Sequence, residues 1–283
     1  MRTAPPGPSP QEKRFAAYVE GLAKAAEHRD REEPLKDYCR GLLLPGERKS
    51  IEPMAARLHP DRVQAARQSL HHLVAKAPWS DEAVLAAVVR QVLPAMTRKQ
   101  PVVAWIVDDT GIPKKGKHSV GVTRQYCGQL GKQDNCQVAV TLSLATWEAS
   151  LPVAYRLYLP REWAEDRARR RRAGVPEEIE FQTKPEMALE QIARALDSGL
   201  PCGAVVAGAG CGPETRFRER PAGMGLEYGV CAGRRERLAA GRCRICRPLL
   251  LAGLQPAAVA VHLQDPGVAR QPVWKSARQP LAA

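Results

Sequence analysis

The sequence predicts an α/β protein, with an all-helical region over residues 1–98 followed by a mixed sheet over residues 99–230. Three observations predict it. Apolar residues recur at helical spacing in several segments of the first 98 positions. At Pro101 that pattern gives way to the continuous apolar run Val102–Val107. Short runs of the same β type then follow, interrupted by one amphipathic helix. A chain of 283 residues corresponds to about two domains and is long enough to bury a core.

The helices come first. Ser9-Pro10-Gln11-Glu12 has the form of a capping box with proline at the first helical position. Phe15, Tyr18, Val19, Leu22 and Ala26 then mark one apolar face. Leu35–Leu44 and Ile51–Leu58 are shorter helices. Arg62–Ala77 and Asp81–Met96 are longer, and Ser80 is placed to cap the last of them. Asp81 and Glu82 suit its positive N-terminal end.

The sheet follows. Val102–Val107 reads as a strand buried on both faces that ends at Asp108-Asp109. Val138–Leu144 and Leu151–Leu159 are the next two strands, and Ala204–Ala207 is a fourth. Between the third and fourth lie a charged stretch, Glu162–Ala173, and the helix Pro185–Leu196, for which Thr183 and Glu186 have capping-box spacing. The predicted order is three strands, a helix, then a strand.

Charge narrows the partners. Lys and Arg number 43 against 30 Asp and Glu, a net charge of +13, which favours a polyanion and nucleic acid first among polyanions. No apolar run approaches the ~18 residues of a membrane span. Met1–Pro10 is polar and proline-rich, unlike a signal peptide. A cytoplasmic protein with reduced thiols at its eight cysteines is expected.

The chemistry-bearing residues are the acids after the first strand and the loop behind them. Carboxylates at the end of a buried strand are held rigidly at the sheet edge. Phosphoryl transfer uses such groups to hold two Mg²⁺ ions about 3.5–4 Å apart, and it needs acids from separate elements. Directly after the acids, Lys114, Lys115, Lys117 and His118 lie in a glycine-broken loop. Cations beside an acid site suit an anion such as a DNA phosphate. A helix cap or turn at Asp108-Asp109 and a merely solvated loop are the plain alternatives.

The stretch Trp105-Ile106-Val107-Asp108-Asp109-Thr110-Gly111, continued by Gly116–Val122 and Arg124–Gln137, resembles the DDE superfamily endonucleases of insertion-sequence transposases. So do Tyr158–Trp163 and Phe181–Glu186. The likeness covers about residues 12–230. It implies an incomplete ribonuclease H-like sheet behind a helical DNA-binding region. It further implies Mg²⁺ or Mn²⁺ as cofactor, cleavage and transfer of DNA strands as reaction, and the element's terminal inverted repeats as partner, with self or an intact transposase as a second partner. By the resemblance Asp109 is the first catalytic acid and metal ligand, Asp108 is its substitute, and Arg124 joins the DNA-contacting residues.

Two departures qualify that expectation. The family's fourth strand ends in an Ala-Asp-Ala-Gly-Tyr-Gly-like motif, and here Ala207-Gly208-Ala209-Gly210-Cys211-Gly212 puts glycine at the second acid position. Glu214 is the nearest acid, at the start of the next helix. Beyond Val230, residues 231–283 carry nine Lys and Arg but only Glu236 and Asp265 as acids, with no sustained amphipathic period and no counterpart of a third acid. That composition is what a change of reading frame near Cys231 produces, and such a tail is expected to have little order. Cys243 and Cys246 form a CxxC for which Cys231 and His262 are the remaining candidate zinc ligands, at no recognised spacing. The expected function is a transposase whose catalysis is defective. The alternatives are a non-catalytic DNA-binding protein that regulates transposition and a metal-binding regulator built on the tail cysteines.

Overall fold

A computed structural model of the chain describes residues 7–208 and 215–230. They fall into two compact units that divide between Gln91 and Val92. The expected boundary at residue 98 differs because one helix spans the division.

The first unit contains α1 (Pro10–Lys24), α2 (Arg29–Leu43), α3 (Ile51–Leu58), α4 (Val63–Ala75) and α5 (Asp81–Thr97) as far as Gln91. The capping box of α1 forms as expected: Ser9 Oγ accepts from the Glu12 N–H at 3.3 Å, and Glu12 Oε2 accepts from the Ser9 N–H at 2.6 Å. Ser80 Oγ accepts from the Ala83 N–H at 3.0 Å. Helix α2 begins six residues before the expected Leu35 and runs through Pro34, losing one backbone hydrogen bond there. Local rules place a boundary at that proline. Packing overrides them, because Leu35 joins Leu22, Ala26, Leu73 and Ala87 in one buried cluster.

The second unit is a mixed sheet with helices. Its strands are β1 (Ala104–Pro113), β2 (Thr123–Cys127), β3 (Lys132–Ala145), β4 (Ser150–Leu157), β5 (Ala204–Ala207) and β6 (Tyr228–Val230). Its helices are α6 (Arg161–Glu165), α7 (Arg167–Arg172), α8 (Lys184–Asp197) and α9 (Thr215–Gly223). The sheet order is β2-β3-β1-β5-β6, with β4 also pairing β3. Strands β1, β5 and β6 are parallel, while β3 is antiparallel to β1, β2 and β4. This is the mixed sheet behind N-terminal helices that the ribonuclease H-like expectation requires.

Three expectations are corrected. The first strand does not end at Asp108-Asp109, since β1 continues to Pro113 and pairs with β3 along its whole length. The order is not three strands before one helix: β2 intervenes, and the charged stretch forms α6 and α7. Strand β3 begins at Lys132, six residues before Val138, because its polar first half forms a hairpin with β2.

The core of this unit lies between one sheet face and α8. Trp105 and Val107 of β1, Val140, Leu142 and Leu144 of β3, and Val205 and Ala207 of β5 meet Met187, Ala188 and Ile192 of α8, with Phe217 of α9. Trp105 is fully buried, and its indole N–H donates to the Pro201 carbonyl at 2.8 Å. A second cluster joins Val120, Val122, Leu159, Trp163, Val175 and Ile179. It fastens the loop after β1 to α6 and to the segment after α7.

Candidate acid site and adjoining basic loop

Strand β1 has two halves. Ala104–Val107 are hydrogen-bonded on both sides, to β3 and to β5. The paired part of the parallel partner stops at Val107–Ala207, so Asp108 and Asp109 are the first residues that pair, among the described residues, with β3 only. That edge, and not the end of the strand, is what presents the acids.

Successive residues of a strand point to opposite faces, and the two acids are therefore separated. Asp108 follows the register of Val107–Ala207 and comes beside Gly208. A Cβ added at Gly208 would stand 4.0 Å from Asp108 Oδ1 and meet nothing closer among the described residues. Residue 208 thus has room for a side chain, and that side chain would adjoin Asp108. Burial pushes the Asp108 carboxyl above its ordinary pKa, the Asp109 backbone N–H partly offsets this, and the Asp109 charge adds to it.

Asp109 lies on the face of Trp105 and Val107, over which α8 packs. Its Oδ2 accepts from Lys184 Nζ at 2.6 Å. Lys184 is the first residue of α8, whose start is fixed by the expected capping box of Thr183 and Glu186. The ammonium also lies 5.5 Å from the ring centroid of Tyr158. Lys184 occurs in the motif quoted for the resemblance but carries no role there. Its position one residue after a helix cap is the signal that it would project from the helix end.

A pair of Mg²⁺ ions needs several converging carboxylates. Among the described residues no group of three or more His, Cys, Asp and Glu side chains is placed to hold a metal ion. With Asp108 and Asp109 on opposite faces and glycine at 208, the described donors do not fit a two-ion site. Glu214, Glu236 and the residues Cys231, Cys243, Cys246 and His262 lie outside the described residues, as does the whole tail from 231 to 283. The four described cysteines, Cys39, Cys127, Cys136 and Cys202, are free thiols.

The basic loop, residues 114–122, is held from below. Asn135 Nδ2 donates to the carbonyls of Lys114 (2.6 Å) and Gly116 (2.9 Å), and Gln137 Nε2 donates to that of Val120 (2.6 Å). The Trp163 indole N–H donates to the Val122 carbonyl at 2.8 Å, and Arg169 Nη2 to that of Lys117 at 2.9 Å. Gly121 has φ +74°, and a Cβ there would stand 2.6 Å from the Tyr158 carbonyl oxygen. Only glycine serves at such a position. The loop is therefore a built element, unlike a solvated one.

Of the cations expected to contact DNA, Lys115, Lys117 and His118 are exposed on this loop and Arg124 is exposed on β2. Lys114 is half-buried, and burial lowers the pKa of its ammonium. Arg124 sits near Asp134, whose carboxyl is held below its usual range by the Asn135 N–H, by Lys132 and by Arg124. Asn135, Gln137 and Arg169 escape sequence reasoning. The alternation Asn135-Cys136-Gln137, polar on both sides of a buried thiol, is the signal that could have found the first two.

Residues 19–249 match the family described as DDE superfamily endonuclease. The match begins after residue 12 and continues past Val230, nineteen residues into the segment with the biased composition. Over 141 residues, half of the chain, the sequence is 33% identical to a protein of Microchaete diplosiphon named "Probable transposase for insertion sequence element IS701". The chain spans about a third of that relative's length, the matched part being 34% of it. Among the described residues no helix is long and apolar enough to cross a membrane.

Proposed function

From the premise that the chain belongs to the DDE superfamily endonucleases, we propose that it derives from an insertion-sequence transposase that acts on DNA in the cytoplasm, and that this copy binds DNA without cutting it. Enzymes of this family generally use divalent metals. When bound, such ions activate the attacking oxygen and stabilise the leaving one. The observation that carries the reading is Gly208. It stands beside Asp108 with space for a side chain and without a carboxylate to fill it.

In this reading Asp108 is the first acid, since it adjoins the second acid position, and Asp109 is held by Lys184 on the other face. The resemblance favours Asp109 for that rank, and the two assignments separate by experiment. Mn²⁺ binding to the full chain is expected to strengthen at least ten-fold in Gly208→Asp. Adding Asp108→Asn removes that gain, whereas adding Asp109→Asn leaves it. The reverse pattern would return the first acid to Asp109. Purified wild-type chain should show no Mg²⁺-dependent nicking of the element's ends. Nicking that Asp108→Asn or Asp109→Asn abolishes would sink the proposed defect.

DNA binding is the retained function. The net charge of +13 and the fastened lysine loop both support it. The terminal inverted repeats of the element are the proposed specific partner. Footprinting on those ends tests it, and protection no stronger than on arbitrary duplex would remove the specificity.

A further inference from the structure

The sheet face of Asp108 extends well beyond the acid edge. Opposed residues on neighbouring strands share a face, as do alternate residues along one strand. Asp108 pairs with Thr141, and from Thr141 back to Asn135 the half-buried residues of β3 alternate with buried ones. Gln137 and Asn135, on the face of Asp108, are the residues that hold the loop carbonyls. The same face continues onto the β2–β3 hairpin, where Arg124 lies opposite Asn135 and Tyr126 opposite Gln133.

There the face ends in an open aromatic. Tyr126 is 59% exposed, although Cys127 beside it is fully buried. Arg124 and Gln133 are exposed next to it on the same face. The acid of the hairpin, Asp134, belongs to the other face and pairs with Lys132 at 3.1 Å. The support is firm. The Cys136 thiol donates to the carbonyls of Gln125 (3.8 Å) and Tyr126 (3.9 Å), and Gln125 Nε2 donates to the Cys136 carbonyl at 3.1 Å. The end of β2 also packs directly on β1, since a Cβ at Gly111 would stand 2.9 Å from Cys127 Cα. A ring held open on a fixed strand needs little ordering to bind.

We infer that the outer face of the β2–β3 hairpin binds unpaired DNA, with the Tyr126 ring stacked on a base, Arg124 on a phosphate beside it and the Gln133 amide on the base edge. The inference rests on the DNA-binding reading above and adds a second form of the ligand, since that reading concerns duplex. Stacking needs an open base face, which a duplex conceals between neighbouring bases. An arginine alone would serve a duplex equally well, and the ring is what favours an unpaired strand. Eight residues of β3 separate Thr141, beside Asp108, from Gln133, about 27 Å at the usual rise. The hairpin is therefore a contact several nucleotides away from the acid edge and no part of it.

Fluorescence anisotropy on the full chain tests this with a labelled single strand of mixed sequence and the duplex formed from it. Tyr126→Ala is expected to weaken single-strand binding about ten-fold and to change duplex binding less than about two-fold. Tyr126→Phe keeps the ring and should bind the single strand as the wild-type chain does. Trp147→Ala removes an exposed ring at the turn between β3 and β4, the other end of β3, and should leave both affinities unchanged. Tyr126→Ala losses that are equal for single strand and duplex, or no larger than those of Trp147→Ala, would overturn the stacking site. So would a loss in Tyr126→Phe as large as in Tyr126→Ala. Wild-type chain that binds the duplex but not the single strand would overturn it and leave the parent reading intact. No affinity for either at low salt would remove both. A single strand of RNA bound more tightly than the DNA strand would overturn the assignment to DNA.

Discussion

The acid edge of β1 and the basic platform behind it, neighbours along the chain, differ in completeness. At the acid edge one expected carboxylate is a glycine, and the two that remain face opposite ways. The platform is the loop 114–122 with α6, α7 and the segment to Ile179 that hold it. Its loop carbonyls are bonded by Asn135, Gln137, Trp163 and Arg169, and Arg170 donates to the carbonyls of Ala164, Pro176, Glu177 and Ile179. The difference teaches that the two regions rest on different kinds of structure. The acid edge consists of a few carboxylate atoms at the margin of the sheet, where the residue at 208 takes little part in packing. The loop and the segment that holds it form a scaffold whose loss would cost folding energy.

The comparison breaks most visibly at Trp163. This side chain is fully buried at the centre of the platform's cluster and also hydrogen-bonds the loop. Trp163→Ala is expected to cost about 3–5 kcal/mol in urea unfolding. The loop around Lys115 should then become the first site of protease cleavage. A loss below ~1 kcal/mol would mean that the platform is not a packed element.

Arg170→Met is expected to cost less, about 2–3 kcal/mol, since it keeps much of the apolar stem and orphans carbonyls that a guanidinium had gathered. Next comes Gly121→Ala, at about 1–2 kcal/mol for the left-handed backbone alone, with the close Tyr158 carbonyl adding to it. Both are read from denaturant midpoints. A neutral Gly121→Ala would show that the loop shifts freely and is not latched.

Legibility in the sequence follows the same division. Helices with caps and apolar faces could be read from residues, as α1, α5 and α8 show, because capping and periodicity are local. The buried half of β1 was legible for the same reason. Its second half was not, because Asp108–Pro113 owes its extended form to pairing with the distant segment Cys136–Thr141. Strand β2 was hidden likewise: Thr123–Cys127 alternates exposed polar residues and becomes a strand by pairing with Lys132–Cys136. At the site, residue types gave the acids and the lysines, whereas the opposed directions of Asp108 and Asp109 emerge from the register with β5. Lys184 is 75 residues from Asp109 in sequence, so no local pattern could have joined them.

The smallest expected effects are also the most diagnostic, because the two acids should respond with opposite signs. Burial raises the Asp108 pKa in the folded chain above its unfolded value. The fold therefore prefers the protonated acid. The stability tied to this group is fully present below the ordinary aspartate pKa of about 3.9 and is lost as pH rises through the raised folded value. At pH 7 the ionised Asp108 is a burden, and Asp108→Asn is expected to stabilise by up to ~1 kcal/mol, a modest figure because the group is only half-buried. That advantage should shrink towards zero as pH falls below about 4. Asp109→Asn instead breaks the exposed pair with Lys184 and should destabilise at pH 7 by about 0.2–1 kcal/mol, less at high salt. Denaturant midpoints for the two variants at pH 7 and pH 4 give the signs directly. If Asp108→Asn destabilised at pH 7 as Asp109→Asn does, the two acids would share one environment, and the separation of faces from which the acid edge was argued would fail.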